Sequence, residues 1–161
     1  MNESPPRTVE HSRASVVRLT IPTDANFTGN VFGGELLAEV DRVAYITATR
    51  HARANCVTAS FDRVDFIAPV HVGEVVDFDA RLTYVGRSSM EVWVRIRSEA
   101  LEGGEPRLVA EAYVTMVAVG ADGRPVEVAP RARTTVEERR RFEQGKRRTE
   151  VRRATRERAA G

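Results

Sequence analysis

Two periodicities divide the chain. From Gly33 or Gly34 onward, Leu36, Leu37, Val40, Val43, Ala44, Ile46, Thr47 and Ala48 recur at helical spacing. That pattern predicts an α-helix apolar over much of its circumference, a kind that other structure must wrap. The remaining body alternates by twos: Val57–Phe66, Glu74–Val85, Ser89–Leu101 and Arg107–Val119 read as strands, clearest in Met90, Val92, Val94 and Ile96. A shorter strand, Ser15–Pro22, precedes the polar loop DANFTGN. The connections APVHVG, VGRS, LEGGEP and GADGRP are short turn sequences, which predicts that consecutive strands are antiparallel neighbours. The predicted class is α+β, one long central helix embraced by a curved antiparallel sheet of about five strands. No internal repeat is present.

Length and charge refine this picture. At 161 residues the chain suits one domain with a tail: residues 1–14 as a flexible leader, 15–130 as the domain, and 131–161 as a basic tail, helical or disordered. The tail holds 12 Arg/Lys against 5 Asp/Glu, the rest 13 against 18, so an acidic body carries a basic end. Thr134 or Thr135 followed by Glu137 and Glu138 is a helix-capping signal, but beyond Val136, Phe142 and Val151 the tail has almost no apolar stripe. A solvated helix with a frayed end is expected. Nucleic-acid binding is disfavoured, since the acidic residues are interspersed and no aromatic platform accompanies the arginines. The single cysteine, Cys56, excludes an intrachain disulfide. No signal sequence and no segment near the ~20 apolar residues of a membrane span occur, so a cytoplasmic protein is expected.

The candidate chemistry centres on one helix. Gly33 and Gly34 allow close backbone approach, and the first amides of a helix lack intrahelical acceptors, so they can face a developing oxyanion; a tight loop-to-helix turn is the plainer alternative. Asp41 is the anomaly. Its same-face neighbours Leu37, Ala44, Tyr45 and Ala48 are mostly apolar, so its carboxylate must be paired with Arg42, Arg50 or Arg53, hydrated in a cleft, or used in proton transfer. Gly33 and Asp41 stand about 12 Å apart along a helix axis. If both serve one reacting carbonyl, they come from different copies, and a two-fold dimer with two equivalent sites follows.

Asn26 can orient a water or a carbonyl, or make an Asx turn. His11, His51 and His71 lie in the leader, at the helix end and in a turn, without partners for a metal or a Ser/His/Asp arrangement, and no metal site is expected. In GRSSM, Gly86 makes a turn while Arg87, Ser88 and Ser89 offer donors to a phosphate, though a polar hairpin is the default.

These motifs in order, NFTGNVFGGELLAEVD, RH at Arg50–His51, VTASFDRVDFIAPVHVGEVV, VGRSSMEVWV and AEAYVTMVAVGADGRPVEVAP, resemble the hotdog-fold acyl-CoA thioesterases of the YciA and brain acyl-CoA hydrolase type over residues 15–130. The resemblance implies a hotdog fold, dimers assembling into trimers of dimers, and hydrolysis of acyl-CoA to free acid and CoA without a separate cofactor. It implies Asn26 from one protomer and Asp41 from the other at one site, with Asp41 as general base or, alternatively, nucleophile. Backbone amides near Gly34 and Glu35 would form the oxyanion hole, and Gly33, Gly86, Arg87, Ser88 and Ser89 would lie near substrate. Phe32, where some relatives have His, and Glu35 bear on acyl-chain preference. Two rivals remain: a hydratase or dehydratase on the same fold, which would want a His facing the site, and a non-catalytic acyl-CoA sensor or scaffold.

Overall fold

The computed structural model describes residues 5–161. Helix α2 (Gly33–Ala52) lies in a five-stranded antiparallel sheet of β1 (Ala14–Leu19), β2 (Asn55–Phe66), β3 (Glu74–Val85), β4 (Ser89–Ala100) and β5 (Arg107–Val119), in the order β1-β3-β4-β5-β2. The one-turn helix α1 (Val9–Ser12) precedes β1, and α3 (Val136–Ala160) ends the chain. This is the hotdog arrangement. Leu36, Val40, Val43, Ala44, Thr47, Ala48 and His51 of α2 are buried against the inner rows Phe78, Leu82, Met90, Ile96 and Met116, each at most 1% exposed. Helical and strand periods thus bury matching apolar faces, at about 1.5–3 kcal/mol for each large side chain.

Three expectations need correction. The loose leader lies partly outside the described residues, but Thr8 caps α1 and Val9 and Ser12 are buried beneath it. Strands β2 and β3 are not neighbours: β2 pairs with β5 at one edge, and residues 67–73 cross to the far side of the sheet. Val70 anchors the connection, only 2% exposed, and Val31 N–H donates to the Val70 carbonyl at 2.8 Å, while Ile67, Pro69, His71 and Gly73 stay exposed.

The tail helix, third, is docked. Thr135 and Glu138 form a capping box, and α3 then crosses the outer face of the sheet. Phe142 stacks on Tyr84 with ring centroids 5.0 Å apart, Arg141 lies 4.1 Å over the Trp93 ring, and Arg148 lies 4.1 Å over Tyr113. Arg148 also donates to both oxygens of Glu91, at 2.7 and 3.0 Å, and Glu91 is 1% exposed. A Cβ on Gly145 would come within 2.8 Å of Glu91 Oε1 and of Tyr84 Cβ, so only glycine allows this approach.

Candidate active site

Asp41 projects from α2 toward the edge strand β2, half-buried. None of the three expected arginines pairs with it. Arg42 bonds Glu39 at 2.5 Å, Arg50 donates to the Arg13 carbonyl at 2.8 Å, and Arg53 leaves the helix in the left-handed region at φ 52°. The partner is Thr58 of β2, whose hydroxyl donates to Asp41 Oδ1 at 2.5 Å. A neutral hydroxyl fixes the carboxylate's direction without neutralising it, leaving Oδ2 free among the described residues to accept a proton. Thr58 went unnoticed in the sequence because a threonine in an alternating strand looks like any solvated position.

The helix start shifts which amides are available. Phe32 supplies no side-chain cap, and the Glu35 N–H is already spent on the Phe32 carbonyl at 3.0 Å. Among the described residues the N–H groups of Gly33 and Gly34 have no acceptor, so the available donors lie one residue earlier than expected. The Glu35 side chain turns to Arg18, 3.5 Å away, which also holds Asp24 at 2.5 Å. A Cβ on Gly33 would sit 3.1 Å from the Phe66 ring, whereas one on Gly34 meets nothing. Gly33 packs tightly on Phe66 and lines a cleft of about 460 Å³ together with Leu36, Phe66 and Ile67 among others; Gly34 faces open space. Asp41 does not line this cleft.

Asn26 makes the Asx turn and keeps a further capacity. Its Oδ1 accepts from Thr28 N–H at 2.9 Å, Thr28 Oγ1 at 2.7 Å and Asn30 N–H at 3.2 Å. Three donors fix the amide's orientation, so Nδ2 is the outward atom and Asn26 can only donate to a ligand. The neighbouring Phe27 ring is fully exposed.

At the β3–β4 turn, Gly86 N–H closes on the Ser89 carbonyl at 2.8 Å, and Arg87 is drawn to Glu127 at 2.9 Å. Ser88 and Ser89 line a separate cleft beside α3. His51 is wholly buried, with Nε2 2.8 Å from the Ala129 carbonyl. Burial pushes its pKa down, helped by the charges of Arg7, His11 and Arg131 and opposed by the Ala129 bond. His71 Nδ1 meets Asn30 Oδ1 at 3.0 Å. Neither histidine reaches Asp41.

Comparison with known proteins identifies the family. The thioesterase superfamily profile matches residues 28–105. An acyl-CoA thioester hydrolase of Bacillus subtilis, YkhA, is 39% identical over 132 residues, 82% of this chain and 76% of that one. The rat cytosolic acyl coenzyme A thioester hydrolase is 34% identical over 88% of this chain, which spans 38% of the rat protein's length. A hexameric acyl-CoA thioesterase structure superposes with a TM-score of 0.89 at 41% identity, covering 94% of this chain and 97% of the other. The Staphylococcus aureus acyl-CoA hydrolase, solved with butyryl coenzyme A and coenzyme A, gives 0.89 at 35% identity over 97% and 95%. Structures of that enzyme include alanine variants of an asparagine, an aspartate 15 residues later and a threonine 17 residues beyond it, the spacing of Asn26, Asp41 and Thr58 here. With 39% identity to a relative of which it covers 76%, and with the fold in common, this chain belongs to the thioesterase superfamily of hotdog-fold acyl-CoA thioester hydrolases.

Proposed function

We propose that the chain hydrolyses acyl-CoA thioesters at a site shared by two protomers, with Asp41 as general base. The observation that carries the proposal is an unneutralised carboxylate, aimed by Thr58, on a helix whose free N-terminal amides lie eight residues earlier. Along α2 that separation is about 12 Å, and the cleft at Gly33 excludes Asp41 of the same chain. One carbonyl reaches both only if a second copy brings its Asp41 to the Gly33–Gly34 end.

The exposed apolar side chains support that assembly. Phe27, Phe32, Tyr45, Val57, Phe61 and Phe66 are each at least 40% exposed, and they occupy the Asn26 loop, α2 and the unpaired edge of β2. Exposed apolar side chains on an unpaired strand edge favour pairing with a second copy. Dimerisation through this edge, with further assembly into the hexamer named for a relative, follows.

In the reaction Asp41 Oδ2 takes a proton as water oxygen attacks the thioester carbonyl carbon. The Gly33 and Gly34 amides and Asn26 Nδ2 donate to the carbonyl oxygen as it becomes an oxyanion. Collapse breaks the carbon–sulfur bond, the proton held by Asp41 passes to the leaving thiolate, and free acid and CoA result. Water is the only co-reactant required. Asp41 as nucleophile would instead give an anhydride, which water then opens.

The test is thiol release from acyl-CoAs of short to long chain. Asp41→Ala should lose about 10²-fold to 10⁴-fold in kcat with the dimer intact, and Asn26→Ala should also lose turnover. A wild-type chain that binds a nonhydrolysable acyl-CoA analogue but releases no thiol from any thioester would be a sensor, and the proposal would fall.

A further inference from the structure

We propose that the cleft between α1, the outer face of β3 and β4, and the start of α3 binds a small monocarboxylate. Its volume is about 210 Å³, and Val9, Leu82, Trp93 and Arg131 are among the residues that line it. Sites for drug-sized ligands run to roughly 300 Å³ and more, so this one suits a ligand of few heavy atoms. Neither Asp41 nor any residue of the Gly33 cleft lines it.

Two buried donors of this cleft lack acceptors. Arg131 and Trp93 are 5% and 7% exposed, and among the described residues Arg131 Nε and Trp93 Nε1 donate to nothing. A buried donor left unmade is costly, so two in one cleft call for an occupant with acceptor atoms. Arg131 also lacks a countercharge. Its Nη1 donates to the Glu138 carbonyl at 3.2 Å, and it forms no ion pair among the described residues. Burial pushes its pKa down; Glu138 opposes the fall, while Arg133 and Arg141 add to it. A buried guanidinium without a paired anion is unfavourable, and an entering anion relieves it.

The surrounding charges select the ligand. Glu10 pairs with Arg13 at 3.4 Å, Glu137 with Arg141 at 2.8 Å, and Glu138 accepts three hydrogen bonds from Thr134 and Thr135. Arg81 is held by Asp79 at 3.0 Å. With these groups committed, one positive charge and one neutral donor remain, and the two oxygens of a single carboxylate match them. The carboxylates of Glu10, Glu137 and Glu138, which also line the cleft, repel an ion of higher charge such as phosphate. Val9, Leu82 and the Trp93 ring give the ligand's short aliphatic part an apolar wall. Bound there, the carboxylate ties the sheet to the start of α3, where Arg141 already lies over Trp93. The acid released in the proposed reaction belongs to this ligand class, but the site does not rest on that reading.

Trp93 is the only tryptophan, so its fluorescence reports this cleft directly. The test titrates the full chain with sodium acetate and sodium butyrate, against sodium chloride at matched ionic strength and inorganic phosphate. The carboxylates should change the emission saturably, chloride should not, and phosphate should bind more weakly than butyrate. Arg131→Gln should raise the carboxylate Kd about tenfold or more, the loss of a charge-assisted hydrogen bond. Thermal midpoints confirm its folding; should it unfold, Trp93→Phe keeps a ring beneath Arg141 without the N–H, and calorimetry should show a raised Kd there too. If the emission does not saturate, responds equally to chloride, or the folded variants keep the wild-type Kd, the cleft holds only water and the proposal is overturned. Phosphate binding as tightly as butyrate overturns the monocarboxylate assignment. Emission needs no turnover, so the result is readable even in a chain without thioesterase activity.

Discussion

At Asp41 a single hydrogen bond, in place of an ion pair, leaves a carboxylate oxygen available for the role proposed above. An ion pair with a neighbouring arginine would have tied both oxygens to a structural task; the Thr58 hydroxyl, 2.5 Å from Oδ1, orients one and leaves the other. Thr58→Val, close in shape but without the donor, should lower kcat roughly 10- to 100-fold while Thr58→Ser retains most of it, because loss of aim is a loss of transition-state geometry. Steady-state kinetics on the two variants distinguishes aim from packing. Gly34 makes a sharper case. Alanine meets no atom there and favours a helix by up to about 1 kcal/mol, so Gly34→Ala should melt no lower than wild type. On the proposed mechanism its methyl enters the space where the carbonyl approaches the amide, and kcat/KM should fall about tenfold or more. Unchanged activity would remove Gly34 from the oxyanion site.

At the scale of elements, legibility followed side-chain chemistry. Helix α2 and strands β3, β4 and β5 could be read almost to the residue, since each buries a regular apolar row. The β2–β3 crossover could not, because APVHVG has the length of a hairpin loop, and only the strand pairing, β2 on β5 and β3 between β1 and β4, shows that it is not one. The docking of α3 was hidden for another reason: its contact stripe, Phe142, Gly145, Arg148, Thr149 and Arg152, recurs at helical spacing but is mostly polar on a hydropathy scale. Arginine packs its plane on Trp93 and Tyr113 and its charge on buried Glu91, so it acts as a core residue without looking like one. For the site, Asp41 and the glycines stood out as violations of a pattern, whereas Thr58 obeyed its own. Gly145→Ala tests the docking. A solvated helix would gain up to about 1 kcal/mol from alanine; the 2.8 Å approach to Glu91 and Tyr84 instead predicts a loss of about 1–3 kcal/mol by overpacking. Denaturant melts and limited proteolysis of the tail will show the sign.

At the scale of the molecule, ionic ties close the sheet and make its stability depend on acid. Burial alone would raise the pKa of Glu74, but Arg107, the His71 N–H and the Ser98 hydroxyl together hold it down to about 2, against an ordinary 4.5. The unfolded chain therefore takes up this proton first on acidification. The stabilisation, at most about 3 kcal/mol, is present above pH 4.5 and lost as pH falls toward 2. Glu74→Gln should lower stability at neutral pH and flatten its decline across that window in urea melts.

On the shared-site proposal a single chain does not hold a complete site, and mixing two inactive chains tests this most directly. In one pairing of an Asp41→Ala protomer with an Asn26→Ala protomer, one site of the dimer carries both defects and the other carries neither. Co-expressed in equal amounts, the two variants should therefore recover about a quarter of wild-type thiol release, half the dimers being mixed with one intact site each. If mixed dimers form and activity stays at the level of the separate variants, Asn26 and Asp41 act within one chain and the shared site is wrong.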